Sequence, residues 1–160
     1  MEMYIRQKAS WTPVYTVTDK NGEDKYRVKG EEAYLTKNIH ICDLNYKSIA
    51  LVQRVKYSIP AEFTVKHRGK IVERINGQVH VPGSKYIMPG RNWVIIGMPG
   101  NFVFNVYYEK RKVAVVSRDY NPLIDKYVVS YIDPKDEILL IALTVALDTL
   151  YGNFKSGNGS

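Results

Sequence analysis

The chain is 160 residues long, with 45% hydrophobic and 24% charged positions, a size and balance that fit one globular domain and exclude collagen-like, disulfide-scaffold and disordered classes. A chain of this length buries roughly 70% of its unfolded surface on folding, enough for one core without disulfides or a structural metal. The single cysteine, Cys42, can close no internal bridge and has no Cys/His cluster for zinc, so a reducing compartment is expected. Lys and Arg outnumber Asp and Glu by 23 to 16, which favours anionic partners and also serves plain solubility.

The chain starts with Met1-Glu2-Met3-Tyr4-Ile5-Arg6-Gln7-Lys8, which lacks the apolar centre of a secretory signal and already alternates like a strand. A cytoplasmic protein is therefore expected. From Met3 to Ile132 short runs rich in Tyr, Val, Ile and Phe are cut by turn residues every 8–12 positions or so, the all-β signature. The predicted strands are 3–8, 13–18, 25–30, 38–43, 48–55, 61–67, 70–75, 78–81, 84–88, 93–98, 102–109, 112–118 and 126–132, with 78–81 and 84–88 readable as one irregular strand. Lys20-Asn21-Gly22-Glu23 and Arg68-Gly69 offer the positive-φ positions of tight hairpins. In Lys25-Tyr26-Arg27-Val28-Lys29 the cations share one face and Tyr26 and Val28 the other, so one face is expected wet and one buried.

Shifting the chain by 64 positions lays Ile49-Ala50-Leu51-Val52-Gln53-Arg54 on Val113-Ala114-Val115-Val116-Ser117-Arg118, and then Ile59 on Leu123, Phe63 on Tyr127 and Val65 on Val129, with Pro60 and Pro122 in the two loops. The match suggests a repeated strand-hairpin unit, with a weaker echo at Ile5-Arg6-Gln7-Lys8.

Asp133-Pro134-Lys135-Asp136-Glu137 reads as a helix start, with an Asp N-cap, Pro at the first helical position and acids near the positive end of the dipole. Ile138 to Leu147 then holds only one polar residue, Thr144, so this helix must be buried on every side or lie in lipid. Ten apolar residues are too few for the roughly 20 that span a bilayer, and Asp148 would be costly there. A helix over 134–151 would be about 27 Å long, a length that a ring of tilted strands can surround. About twelve strands make a ring too wide for its own side chains to fill, and a central helix supplies the missing core. The reading is thus a mainly β fold, a closed antiparallel barrel of about twelve strands around a hydrophobic C-terminal helix, with residues 1–152 forming one domain and 153–160 a flexible tail.

The order of Tyr4-Ile5-Arg6-Gln7-Lys8, Tyr26-Arg27-Val28-Lys29-Gly30, Ile39-His40-Ile41-Cys42-Asp43 with Ile49-Ala50, and Asp125-Lys126-Tyr127-Val128-Val129-Ser130-Tyr131-Ile132 before the apolar helix resembles the LURP-one-related family of the tubby C-terminal-like superfamily. The resemblance implies a twelve-stranded barrel around the helix and a place beside tubby proteins, which bind phosphoinositide headgroups, and phospholipid scramblases, which are linked to lipid movement and calcium. The segment proposed to bind calcium in scramblases keeps here only Asp125 and Asp133, with Asp136 and Glu137 at the helix start. Calcium wants six to eight oxygens from one loop, and a predicted strand separates Asp125 from Asp133, so no metal site is expected.

No catalytic constellation is visible: His40, His67 and His80 lie on separate predicted strands, Cys42 sits in a hydrophobic run, and Gly90, Gly97 and Gly100 are turn and strand breaks without a phosphate-binding fingerprint. A non-enzyme without cofactors is expected. The candidate lipid-headgroup residues are Lys66, Arg68 and Lys70 in one basic hairpin and Lys110, Arg111 and Lys112 in another. Such lysines also serve solvation and discourage strand aggregation. The expected function is a non-enzymatic module for anionic phospholipid or phosphoinositide headgroups, peripheral at a membrane. The alternative is a soluble scaffold that binds another protein; nucleic acid fits less well, for lack of a matching motif.

Overall fold

The computed structural model describes residues 1–8, 14–31, 38–121 and 124–152. Pro13, Pro122, Leu123 and the 153–160 tail expected from sequence lie outside the described residues, and so does the Asp125 side chain. Twelve strands are formed: β1 (Glu2–Lys8), β2 (Val14–Asp19), β3 (Asp24–Gly30), β4 (Asn38–Cys42), β5 (Ser48–Arg54), β6 (Glu62–His67), β7 (Lys70–Gln78), β8 (Ser84–Met88), β9 (Trp93–Met98), β10 (Val103–Tyr108), β11 (Arg111–Asn121) and β12 (Ile124–Tyr131). Each pairs antiparallel with its neighbours in sequence, and β12 pairs with β1 to close the ring. A 3-10 turn at Pro134–Asp136 leads into α1 (Glu137–Tyr151), and the Asp133 side chain accepts from the Lys135 amide as the N-cap expected from sequence.

One predicted element is corrected. Residues 78–81 do not form a strand of their own; β7 runs on to Gln78, which pairs with Lys85, and 79–83 is the loop to β8. Pro82 has no N–H to give a ladder, and Gly83 takes a φ of 84° that turns the chain. Val79 and Val81 are both 88% exposed, so no buried face holds this stretch in a sheet, and His80 belongs to a loop.

The helix fills the barrel. Leu140 to Leu147 are eight consecutive residues, every one of them buried, and eight residues make more than two full turns. A helix buried on all sides for two turns must be surrounded, and the surrounding wall is the inward phase of the strands: Met3 and Ile5, Tyr15 and Val17, Val52, Phe63 and Val65, Met88, Ile95, Phe104 and Val106, Val116 and Val129. Thr144, the lone polar residue of the run, returns its hydroxyl to the Leu140 carbonyl at 2.7 Å, so its own donor is paired within the core.

The 64-residue echo is realised in the pairing. Leu51 faces Lys66, Val52 faces Val65 and Arg54 faces Phe63 in β5–β6, while Val115 faces Ser130, Val116 faces Val129 and Arg118 faces Tyr127 in β11–β12. The same register therefore recurs in two hairpins six strands apart, on opposite sides of the ring.

Gly97 on β9 is required by packing. It pairs with Phe104, whose ring lies over the glycine and stacks on Tyr151 of the helix at 5.8 Å between centroids. A Cβ at Gly97 would collide with that ring. Gly97→Ala is expected to destabilise the fold by about 1–3 kcal/mol, read as a lower urea midpoint at unchanged slope.

Candidate functional site

Because the strands alternate in direction, the turns β2–β3, β4–β5, β6–β7, β8–β9 and β10–β11 and the β12–α1 connection all lie at one rim. Both basic hairpins are thus brought to the rim where the helix starts. Lys66 is half-buried near the end of β6, whereas Arg68, Lys70, Lys110, Arg111 and Lys112 are exposed. None of the six has an ion-pair partner among the described residues. The two tips do not converge: four strand spacings separate them, roughly 19 Å along the wall. Each makes its own cationic cluster, and the two can face one plane but not one small molecule.

The tips are built with backbone in the left-handed region. Arg68 and Gly69 have φ of 51° and 78°, and Glu109 and Lys110 have φ of 46° and 67°. The second turn lacks the Asn-Gly chemistry that such hairpins favour, so two bulky residues hold a conformation disfavoured by about 1–2 kcal/mol each.

The same rim carries every register shift in the barrel's described pairings. The second strand of four hairpins contains one extra residue just after the turn: Lys25 in β3, Ile49 in β5, Val72 in β7 and Val113 in β11. Bulges re-aim side chains and collect at barrel rims. Lys25 shows the effect. Sequence alternation puts it on the outer face with Arg27 and Lys29, but as the bulged residue it reaches Glu137 of the helix at 2.7 Å.

A cleft of about 480 Å³ opens at the base of the β10–β11 hairpin, lined by Gly90, Arg91, Asn92, Trp93, Tyr108, Arg111, Val113, Ile132, Asp133 and Asp136. Its floor is fixed by Glu73, a buried carboxylate that accepts the backbone N–H groups of Gly90 and Arg91, both at 2.9 Å. A Cβ at Gly90 would stand 2.8 Å from Glu73 Oε2, so a side chain there would displace the carboxylate that accepts these two N–H groups. Arg91 is ion-paired with Asp136 and lies 5.3 Å over the Trp93 ring. Burial raises the Asp136 pKa and the Arg91 charge opposes that rise. Arg91 is thus neutralised, which leaves Arg111 as the guanidinium in the cleft that has no carboxylate partner among the described residues.

Sequence reasoning missed the polar ties at the two ends of the helix. Glu137 accepts from Lys25 Nζ at 2.7 Å, from the Tyr26 hydroxyl at 2.9 Å and from the Tyr131 hydroxyl. Burial disfavours its ionised form, but these bonds prevail and hold the carboxyl below the ordinary value of 4.5. At the other end Asp148 accepts from the Tyr15 and Tyr127 hydroxyls. Arg118 donates to Tyr127 Oη and to the Gly152 carbonyl, both at 2.9 Å. Tyr151 meets Tyr86 and Ser84. Burial, followed by the charge of Asp148, pushes the Tyr15 and Tyr127 phenols far up. The available signal was the inward strand phase of these tyrosines together with two acids bracketing an apolar run.

The remaining sequence candidates form no cluster, although His67 lies in the Lys66–Lys70 hairpin itself. His40 contacts Glu31 at 2.7 Å on the outer wall, and His67 contacts the Ile49 carbonyl at 2.6 Å. Cys42 is buried, and burial raises its thiol pKa. Among the described residues no His/Cys/Asp/Glu group could hold a metal, and no helix is long and apolar enough to cross a membrane.

Two outcomes follow. Glu137 has a depressed folded pKa, so its contribution to stability is complete above the ordinary glutamate value and disappears as pH falls through the folded one. Glu137→Gln is therefore expected to flatten the loss of stability between about pH 5 and pH 3, measured by urea unfolding across pH. Glu109→Asn with Lys110→Gly is expected to stabilise the hairpin by about 1–2 kcal/mol, measured as a raised urea midpoint.

Residues 1–148 match the LURP-one-related family model. The uncharacterized protein YxjI of Bacillus subtilis (strain 168) is 20% identical over 154 residues, covering 96% of this chain and 95% of that protein. No solved structure matches the chain.

Proposed function

The chain belongs to the LURP-one-related family, and from that premise we propose a non-enzymatic binding module that docks on anionic phospholipid headgroups, phosphoinositides included, through its helix-start rim. The observation that carries the reading is the arrival of both basic hairpins, Lys66–Lys70 and Lys110–Lys112, at one end of the barrel with no carboxylate partners among the described residues. Clusters held about 19 Å apart suit an extended anionic surface better than a single small ligand. Each Lys or Arg near such a surface contributes about 1 kcal/mol, so the six candidates together suffice for reversible, peripheral attachment at the cytoplasmic face. The Arg111 side of the cleft adds a guanidinium that can take a phosphate through two parallel hydrogen bonds. The helix remains in the barrel on this reading, because exposing its buried apolar residues would cost on the order of 10 kcal/mol or more.

A second reading, a soluble scaffold for another protein, is favoured by one observation: Ile96, Met98 and Val103 are exposed side by side on the outer wall of β9 and β10.

Co-sedimentation with neutral and anionic vesicles, the latter with and without phosphoinositides, at two salt concentrations separates them. Binding to the anionic vesicles alone, weakened by salt, is expected. Lys110→Glu with Arg111→Glu, and separately Lys66→Glu with Arg68→Glu, should each lower the partition coefficient by at least about tenfold. Absence of binding at low salt would overturn the lipid reading and leave the scaffold.

A further inference from the structure

The outer wall of β9 and β10 carries a second concavity. Alternation buries Trp93, Ile95, Phe104 and Val106 against the helix side, so Val94, Ile96 and Met98 of β9 and Val103, Asn105 and Tyr107 of β10 face outward. The register sets Val94 opposite Tyr107, Ile96 opposite Asn105 and Met98 opposite Val103, so the apolar stripe is continuous along β9 and is interrupted on β10 by the Asn105 amide. Val94, Ile96 and Tyr107, with Asn92, Glu109 and Lys110, line a groove of about 600 Å³. Its β9 side is apolar, and Asn92, Glu109 and Lys110 stand at the mouth, on the helix-start rim. Asn92 also lines the Arg111 cleft, so the groove and the cleft adjoin. Ile96, Met98 and Val103 remain 37%, 50% and 38% exposed, although nothing in the packing of the core requires apolar side chains on that face.

We propose that this groove holds one acyl chain of an anionic lipid whose phosphate is bound at the Lys110–Arg111 tip, an inference that rests on the headgroup reading above. Three features select an acyl chain as the occupant. From Val94 to Met98 the β9 side of the wall is elongated, roughly 13 Å along the strand, and its outward side chains Val94, Ile96 and Met98 offer no strong hydrogen-bonding group. The backbone beneath it lies in a closed sheet, paired on both sides, so no peptide can add to it as a further strand. Lys110 at the mouth has no carboxylate partner among the described residues, which places a cation where the chain would meet its phosphate. Glu109 shares that mouth and opposes the anion.

The test is calorimetric titration of the full chain with lysophosphatidic acids of increasing short chain length, used as monomers, with glycerol phosphate as the chainless probe. The dissociation constant is expected to fall by up to about fourfold per added methylene until the chain reaches Met98. Ile96→Glu should flatten that series while leaving co-sedimentation with anionic vesicles charge-dependent, and Ile96→Ser, a milder change, should flatten it in part. Glu109→Gln should tighten every member of the series. A flat series in the unaltered protein, with vesicle binding intact, would overturn the groove and leave the headgroup reading standing. Failure of every anionic probe and vesicle to bind would overturn both. A concentration-dependent dimer in sedimentation velocity that Ile96→Glu abolishes would make a second copy of the chain the occupant and would also overturn the proposal.

Discussion

The structure depends on the filling of a space that the wall encloses and cannot occupy. Twelve strands close into a ring whose inward side chains do not meet across the centre, and an empty lumen would forfeit the contacts that make the wall stable. The helix Glu137–Tyr151 supplies those contacts over more than two turns without one exposed residue between Leu140 and Leu147. An apolar cylinder in an apolar tube has little to fix its height or rotation. The tyrosine–carboxylate ties provide that fixation, with Glu137 held from β3 and β12 at one end and Asp148 held from β2 and β12 at the other. Asp148 sits in the last turn, where the dipole disfavours an anion, and Arg118 offsets this by donating to the Gly152 carbonyl beside it.

An even number of antiparallel strands also makes the two rims unequal. The chain leaves β12 at the rim where β1 begins, and the Met1 ammonium donates to the Tyr131 carbonyl there at 2.8 Å. The helix must enter from that rim, bringing its acids and the positive end of its dipole with it. The β-bulges gather at the same rim: four hairpins that turn there carry one, while the six hairpins at the opposite rim keep an unbroken register in their described residues. One end of the barrel is regular ladder. The other is a set of re-aimed side chains around a helix terminus, and the strained Glu109–Lys110 tip and the Arg111 cleft both belong to it.

What the sequence made legible follows from short-range rules. Period-two alternation located all twelve strands within a few residues and an all-apolar run bracketed by Asp133-Pro134 and Gly152 located the helix, because both patterns are written locally. The stretch 78–81 was misread because Val79 and Val81 alternate like a strand yet have no wall to face. The basic tips were legible as turns, but their shared rim came only from counting strands through a closed ring. The cleft was not legible. Arg91, Asp136 and Glu73 are far apart in sequence, and Lys25 changes face through a single extra residue that no alternation pattern announces.

The repeat offers an internal control on the outer wall. The hairpins β5–β6 and β11–β12 occupy opposite positions with the same register, so by the same six-strand step β9 and β10 stand opposite β3 and β4. Both pairs meet the same demand from the core, and both supply it, with Val28, Ile39 and Ile41 on one side and Ile95, Phe104 and Val106 on the other. Their outer faces differ: Arg27, Lys29 and His40 stand on one, while the other carries Val94, Ile96, Met98, Val103 and Tyr107 around the amide of Asn105. Packing within the barrel cannot account for a difference on the face it does not use, since water accepts the charged wall at no cost and the apolar one only at a loss. The asymmetry therefore points outward, to what this side of the barrel meets, and it lies directly above the one basic tip whose turn holds two non-glycine residues in left-handed backbone.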